Sequence, residues 1–121
     1  MPQVLGFDKK YDIIYWENNI MISYWKEIEE KNSNLYPKGT YWKLNTGGVG
    51  VVTGYSFSYI ILRTWDKHNG KVILSLTPKQ IGEAATANDY FYNKRKAIYD
   101  LICKLEDKIS ELNKEWHNDT E

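Results

Sequence analysis

The chain has 121 residues, 42% of them hydrophobic and 15% aromatic, with 16 basic and 16 acidic side chains in balance. That length suits one ordinary domain with a modest core and speaks against two full ones. One cysteine, Cys103, excludes an intrachain disulfide, and no apolar run reaches the roughly 20 residues that span a bilayer.

The opening MPQVLGFDKKYD sets acids close behind its few apolar residues, unlike a signal peptide, so a soluble, cytoplasmic protein without membrane association is expected. Lysine far outnumbers arginine, and Asn, Ile and Tyr are abundant, the bias of an AT-rich genome such as that of a low-GC bacterium or its phages. Charge is uneven along the chain. Residues 36–82 carry Lys38, Lys43, Arg63, Lys67, Lys71 and Lys79 against Asp66 alone, while acids outnumber bases on both sides. An anion-attracting middle therefore sits between mildly acidic flanks.

Taken in order, residues 1–10 show no usable period. Tyr11 to Trp16 reads as a strand, closed by the polar Glu17-Asn18-Asn19. Ile20, Met21, Tyr24, Trp25 and Ile28 recur at helical spacing, which predicts a helix within residues 20–33; the rival is a hairpin in which IMISYW pairs with YDIIYW. From Thr40 the period becomes two. TYWKLN, VGVVTGY, SFSYIILRTW and KVILSL read as successive strands of an antiparallel meander, so that residues 11–81 are mainly β. Thr77-Pro78-Lys79-Gln80 has the signature of a helix start, with Gln80 able to bond back to Thr77, and residues 83–117 are expected to be helical, capped at Asn88 or Asp89.

The last segment carries the cleanest repeat. Phe91, Ile98, Leu105 and Leu112 fall seven apart, and Ile102, Ile109 and Trp116 follow four residues on, broken at Arg95. β-branched residues at a and leucines at d favour a two-stranded parallel coil. A homodimer with Ile98, Ile102, Leu105, Ile109, Leu112 and Trp116 at its interface is the reading, against the alternative that the stripe packs on its own sheet.

The glycines Gly47, Gly48, Gly50 and Gly54 run into a strand and no GK[ST] follows, so they read as turn and packing devices, not a phosphate loop. Gly48-Val49-Gly50-Val51-Val52-Thr53-Gly54, then Tyr59-Ile60-Ile61-Leu62, a turn and Lys71-Val72-Ile73-Leu74, resembles the strand spacing of SH3-like barrels, including the KOW-type modules of ribosomal and transcription proteins. The resemblance implies a small, curled antiparallel sheet. KOW-type modules carry basic residues where this chain has Tyr55-Ser56-Phe57-Ser58, so their RNA-binding role is not carried over.

The aromatic row Phe57, Tyr59, Trp65, with Arg63, could stack bases. Asn69-Gly70 signals a two-residue hairpin loop, and an even loop puts Trp65 and Arg63 on the face of Val72, Leu74 and Leu76, making the row mainly core. A ligand-binding set of Tyr41, Lys43, Tyr55, Arg63, Lys67 and Lys71 remains. His68, His117 and Cys103 are too scattered for a metal site, and no nucleophile has a base nearby in sequence. The expectation is an α+β, non-enzymatic protein without cofactor that binds an anionic, nucleotide-like or nucleic-acid ligand. The rival is a protein-interaction module, such as a phage counter-defence inhibitor of a host protein or an assembly component.

Overall fold

Local pairing rules build residues 41–76 into a meander. The computed structural model describes residues 23–118. Helix α1 occupies 23–35, which settles the described part of the segment 20–33 as helix and not hairpin. The strand expected at Tyr11 to Trp16 lies outside the described residues. Strands β1 (Tyr41–Leu44), β2 (Val49–Ser56), β3 (Tyr59–Asp66), β4 (Gly70–Leu76) and β5 (Ile81–Ala85) form one antiparallel sheet in the order β4-β3-β2-β1-β5. Helix α2 (Ala87–Trp116) completes the α+β architecture.

A turn and a bulge decide which side chains share a face. Between β3 and β4, Asp66 pairs with Gly70, leaving a three-residue loop. Asp66 Oδ1 accepts from the backbone N–H of His68 at 2.8 Å and of Asn69 at 2.6 Å, and Gly70 takes φ 77° to re-enter the strand. These bonds favour the odd loop over the two-residue Asn-Gly turn. The odd loop reverses the expected parity: Leu62 now faces Leu74 and Ile60 faces Leu76, whereas Arg63 opposes Ile73 and Trp65 opposes Lys71. The row Tyr59, Arg63, Trp65 is therefore turned away from Val72, Leu74 and Leu76, and the expectation that it shares their face is corrected. The second device is a β-bulge between Val52 and Gly54 of β2, where one extra residue flips the alternation. It moves Tyr55 onto the face of Ile60.

The β2–β3 turn is held from outside. Ser56 pairs with Tyr59, so Phe57 and Ser58 turn the chain, with Phe57 at φ 55° in a region that bulky residues rarely visit. Helix α1 clamps this turn: Glu29 Oε1 accepts from Phe57 N–H at 2.9 Å, the buried Asn32 donates its Nδ2 to Ser58 O at 3.2 Å, and Trp25 meets the Phe57 ring edge-on at 5.5 Å.

Thr77 and Gln80 bond as their spacing predicts, Gln80 Oε1 accepting from Thr77 N–H at 3.0 Å. They cap only a 3-10 turn, Pro78–Gln80, after which residues 81–85 form β5 and not the start of a helical segment. Ile81 drives this outcome, because it buries in the core and β5 supplies the second neighbour of β1. The helix begins at a different cap: Thr86 Oγ1 accepts from Asp89 N–H at 3.2 Å, while Asp89 Oδ2 accepts from Thr86 N–H at 3.0 Å.

The sheet is apolar on both sides. On one, Leu44, Val52, Ile60, Leu62 and Ile81 cluster, with Tyr36, Trp42, Tyr55, Leu74 and Leu76 packed around them. Burying Ile60 or Leu62 completely is worth roughly 1.5–3 kcal/mol each relative to exposure. Gly50 lies against this cluster, where a Cβ would come within 3.2 Å of Leu62. On the other side Val49, Val51 and Tyr90 cluster with Tyr41, Trp65 and Ala85. Tyr90 belongs to α2, so this second cluster is what docks the helix.

Candidate functional site

The docked turn of α2 and the outer row of the sheet enclose a cleft of about 370 Å³, at the small end of ligand-site volumes. Its floor is Tyr41, Val51, Arg63, Trp65 and Lys71, one or two residues from each of four strands. Its wall is Tyr90, Phe91 and Lys94 of α2. Strand alternation supplies the first group and helical periodicity the second.

Tyr90 organises the cleft. Only 3% of its surface is exposed, and its hydroxyl accepts from Trp65 Nε1 at 2.9 Å and from Arg63 Nε at 3.2 Å. Both phenol lone pairs are thus engaged, which fixes the indole plane and the guanidinium while leaving the terminal guanidinium nitrogens of Arg63 free of any protein hydrogen bond among the described residues. The Tyr90 ring also tilts against Tyr41 at 5.4 Å and meets Phe91 edge-on at 5.5 Å. Lys94 Nζ sits 4.7 Å from the centre of the Trp65 ring, a cation–π contact worth about 0.5–1 kcal/mol at an exposed site. Asn93 donates to Trp65 O at 3.2 Å and so ties the next turn of α2 to the same strand.

Electrostatically the cleft is one-sided. Arg63, Lys71 and Lys94 line it, no Asp or Glu does, and among the described residues none of the three forms an ion pair. Three like charges in a partly enclosed space raise the local anion concentration.

Of the six residues singled out from sequence, the structure brings Tyr41, Arg63 and Lys71 together here. Lys43 projects from the same strand as Tyr41 but lies 3.9 Å from Glu83 of β5, in a loose surface pair. Lys67 sits in the β3–β4 turn and lines a neighbouring polar depression with Gly48, His68, Asn93 and Lys96, which shares only Trp65 with the cleft. Tyr55 packs on the opposite face, carried there by the bulge; its hydroxyl donates to Tyr36 O, and burial pushes its phenol above the usual tyrosine range. Sequence reasoning did not reach Tyr90 or Lys94, and it placed Trp65 on the face of Val72, Leu74 and Leu76 and Phe91 only in the heptad series. The available signal was the spacing Tyr90, Lys94, Ala97, Leu101, a second helical stripe beside the heptad one.

Among the described residues no group of three His, Cys, Asp or Glu is placed to hold a metal ion, and no helix is long and apolar enough to cross a membrane. Comparison with protein-family models, curated proteins and solved structures gives no match.

Proposed function

We propose that the protein is a non-enzymatic binder of a small anionic, nucleotide-like ligand, seated in the cleft between α2 and the outer face of the sheet. One observation carries this reading: Arg63, Lys71 and Lys94 converge on a concave space that no carboxylate lines, beside the rings of Tyr41, Trp65 and Phe91. A phosphate would meet the terminal guanidinium nitrogens of Arg63, with Lys71 across the strand pair, and a base would lie against the exposed edge of the aromatic group. The cleft volume suits one nucleotide better than an extended strand. An SH3-like arrangement of the meander, with a 3-10 turn before β5, accompanies this reading.

The test is titration of the purified protein with nucleoside mono- and diphosphates, cyclic dinucleotides and short single strands, followed by tryptophan fluorescence. Binding should weaken steeply between 50 and about 300 mM salt. Arg63→Ala should weaken it about tenfold or more. Affinity indifferent to salt, or equal in Arg63→Ala and in Lys79→Ala outside the cleft, would defeat the proposal.

A second reading, a protein-interaction module, rests on a different observation: the exposed apolar series Ile102, Leu105, Ile109, Leu112 and Trp116 along α2. Partners captured from a lysate that survive nuclease treatment and depend on these residues would favour it.

A further inference from the structure

We infer that the protein pairs with a second copy of itself in antiparallel fashion along α2, so that the C-terminal half of each helix covers the part of the other copy's sheet that its own α2 leaves bare. This does not rest on the ligand reading, since a chain that binds no anion can pair in this way, but Phe91 and Lys94 serve both, so pairing and anion binding compete at the cleft.

The first observation is that α2 has two apolar stripes. Tyr90, Ala97 and Leu101 face the sheet, with Tyr90 and Ala97 buried and Leu101 lying 3.5 Å from the position of a Cβ on Gly70. At about 100° per residue, the series Ile98, Ile102, Leu105, Ile109, Leu112, Trp116 is rotated roughly 80° from that face. It therefore points sideways, along the plane of the sheet, and not down onto it. From Lys104 to Trp116 every residue is exposed, about 20 Å of helix with Ile109 at 57% and Trp116 at 77%.

The second observation is a gap beside the first stripe. α2 crosses the strands from Tyr41 of β1 past Trp65 of β3 to Gly70 of β4, and one helix of about 10 Å diameter cannot cover an eight-residue strand that runs roughly 26 Å. On the face that α2 occupies, Ile73 is 57% exposed and Tyr59 43%, on the side of Arg63 away from the docked turn. Phe91, at the start of the stripe, lines the cleft together with Arg63 and Lys71, the strand residues that lie next to Ile73. A second helix laid beside α2 would meet the stripe and the bare strands together.

Charge selects the orientation. A parallel pair in register sets Arg95 against Arg95 of the partner subunit on the seam and offers no opposite charges across its flanks. An antiparallel pair with Ile102 opposite the partner's Leu105 sets Ile98 opposite the partner's Ile109, Phe91 opposite the partner's Trp116 and Arg95 opposite the partner's Leu112, which separates the two arginines. On its flanks Lys94 meets the partner's Glu115, once on each side of the two-fold axis, and no like charges oppose. Ile102, Leu105, Ile109 and Leu112 are each about half exposed and Trp116 is 77% exposed, so pairing takes a continuous apolar strip out of water. Contact with the bare strands adds to this.

The experiment uses the full chain with Cys103→Ser as background. Mass in solution at micromolar concentration should be twice that of the chain, and Leu105→Glu with Ile109→Glu should return it to monomer with an unchanged far-ultraviolet spectrum. Single variants Ile102→Cys and Leu105→Cys, mixed in equal amounts and oxidised, should give mainly the mixed disulfide. Homodisulfides of each variant instead would overturn the antiparallel pairing. A chain that stays monomeric at micromolar concentration would overturn the dimer altogether, whether residues 1–22 or a foreign protein cover the stripe.

Discussion

The two halves of α2 are one continuous helix with opposite relations to the fold. Its first half, to Leu101, is fixed by a cap, a buried tyrosine and hydrogen bonds to β3. Its second half, from Lys104, is exposed at every residue, yet it carries the more regular apolar repeat. Regularity of pattern and strength of docking are thus separate properties. A sheet supplies an irregular surface that a helix meets with whatever fits, here a phenol, an amide and an alanine, whereas a second helix supplies a periodic one and selects a heptad.

The sharpest way to break the comparison is to empty the docked half. Tyr90→Ala removes a ring that packs with Val49 and Val51 and strips Trp65 Nε1 and Arg63 Nε of their acceptor. A loss of about 3–5 kcal/mol in denaturant unfolding is expected. Tyr90→Phe keeps the ring and should cost only about 1–2 kcal/mol, while freeing Arg63 and altering salt-dependent ligand binding.

The cap offers a smaller test of the same half. Thr86→Ala deletes the acceptor for Asp89 N–H and should cost about 1 kcal/mol. The carboxyl of Asp89 lies below its usual range because Thr86 N–H donates to it, and that of Asp66 lies below its range because Asn69 N–H does. Both groups therefore bind protons more weakly in the folded chain than in the unfolded one. Their stabilisation is present in full above about pH 4 and is lost as the pH falls through the folded-state values. Acid titration of thermal stability should show this loss; Thr86→Ala keeps the backbone N–H bond to Asp89 and loses only the smaller contribution of the Thr86 hydroxyl, so the loss should be modestly reduced and not abolished.

How much of this was legible depends on the range of the forces involved. The meander could be read from Thr40 onward because β-branched alternation and glycine turns are local, and Thr77-Gln80 could be read because a capping box spans four residues. What eluded the sequence were single-residue insertions. The third loop residue between Asp66 and Gly70, chosen by the Asp66 carboxylate, reversed the face of Arg63 and Trp65, and the bulge after Val52 reversed that of Tyr55. A period-two signal carries no information about either. β5 was hidden for another reason: Ile81-Gly82-Glu83-Ala84-Ala85 has weak strand character of its own and is held there by β1 and by the burial of Ile81. The cleft joins a sheet row to a helix turn more than twenty residues away in sequence, so only its strand half could be named in advance.

The smallest expected effect tests the protruding half. Leu112 is about half exposed on a helix segment whose every residue is exposed, so Leu112→Ala should change the unfolding free energy of a dilute sample by less than about 0.5 kcal/mol, alanine being if anything the better helix former. The same substitution should matter once the chain is concentrated. If two helices pair, the melting temperature of the parent protein rises with concentration, because association stabilises the folded state by mass action. Leu112→Ala should flatten that rise without moving the dilute value. A variant that lowers stability equally at both concentrations would mean that Leu112 packs within its own chain, and the distinction between the two halves of α2 would then fail.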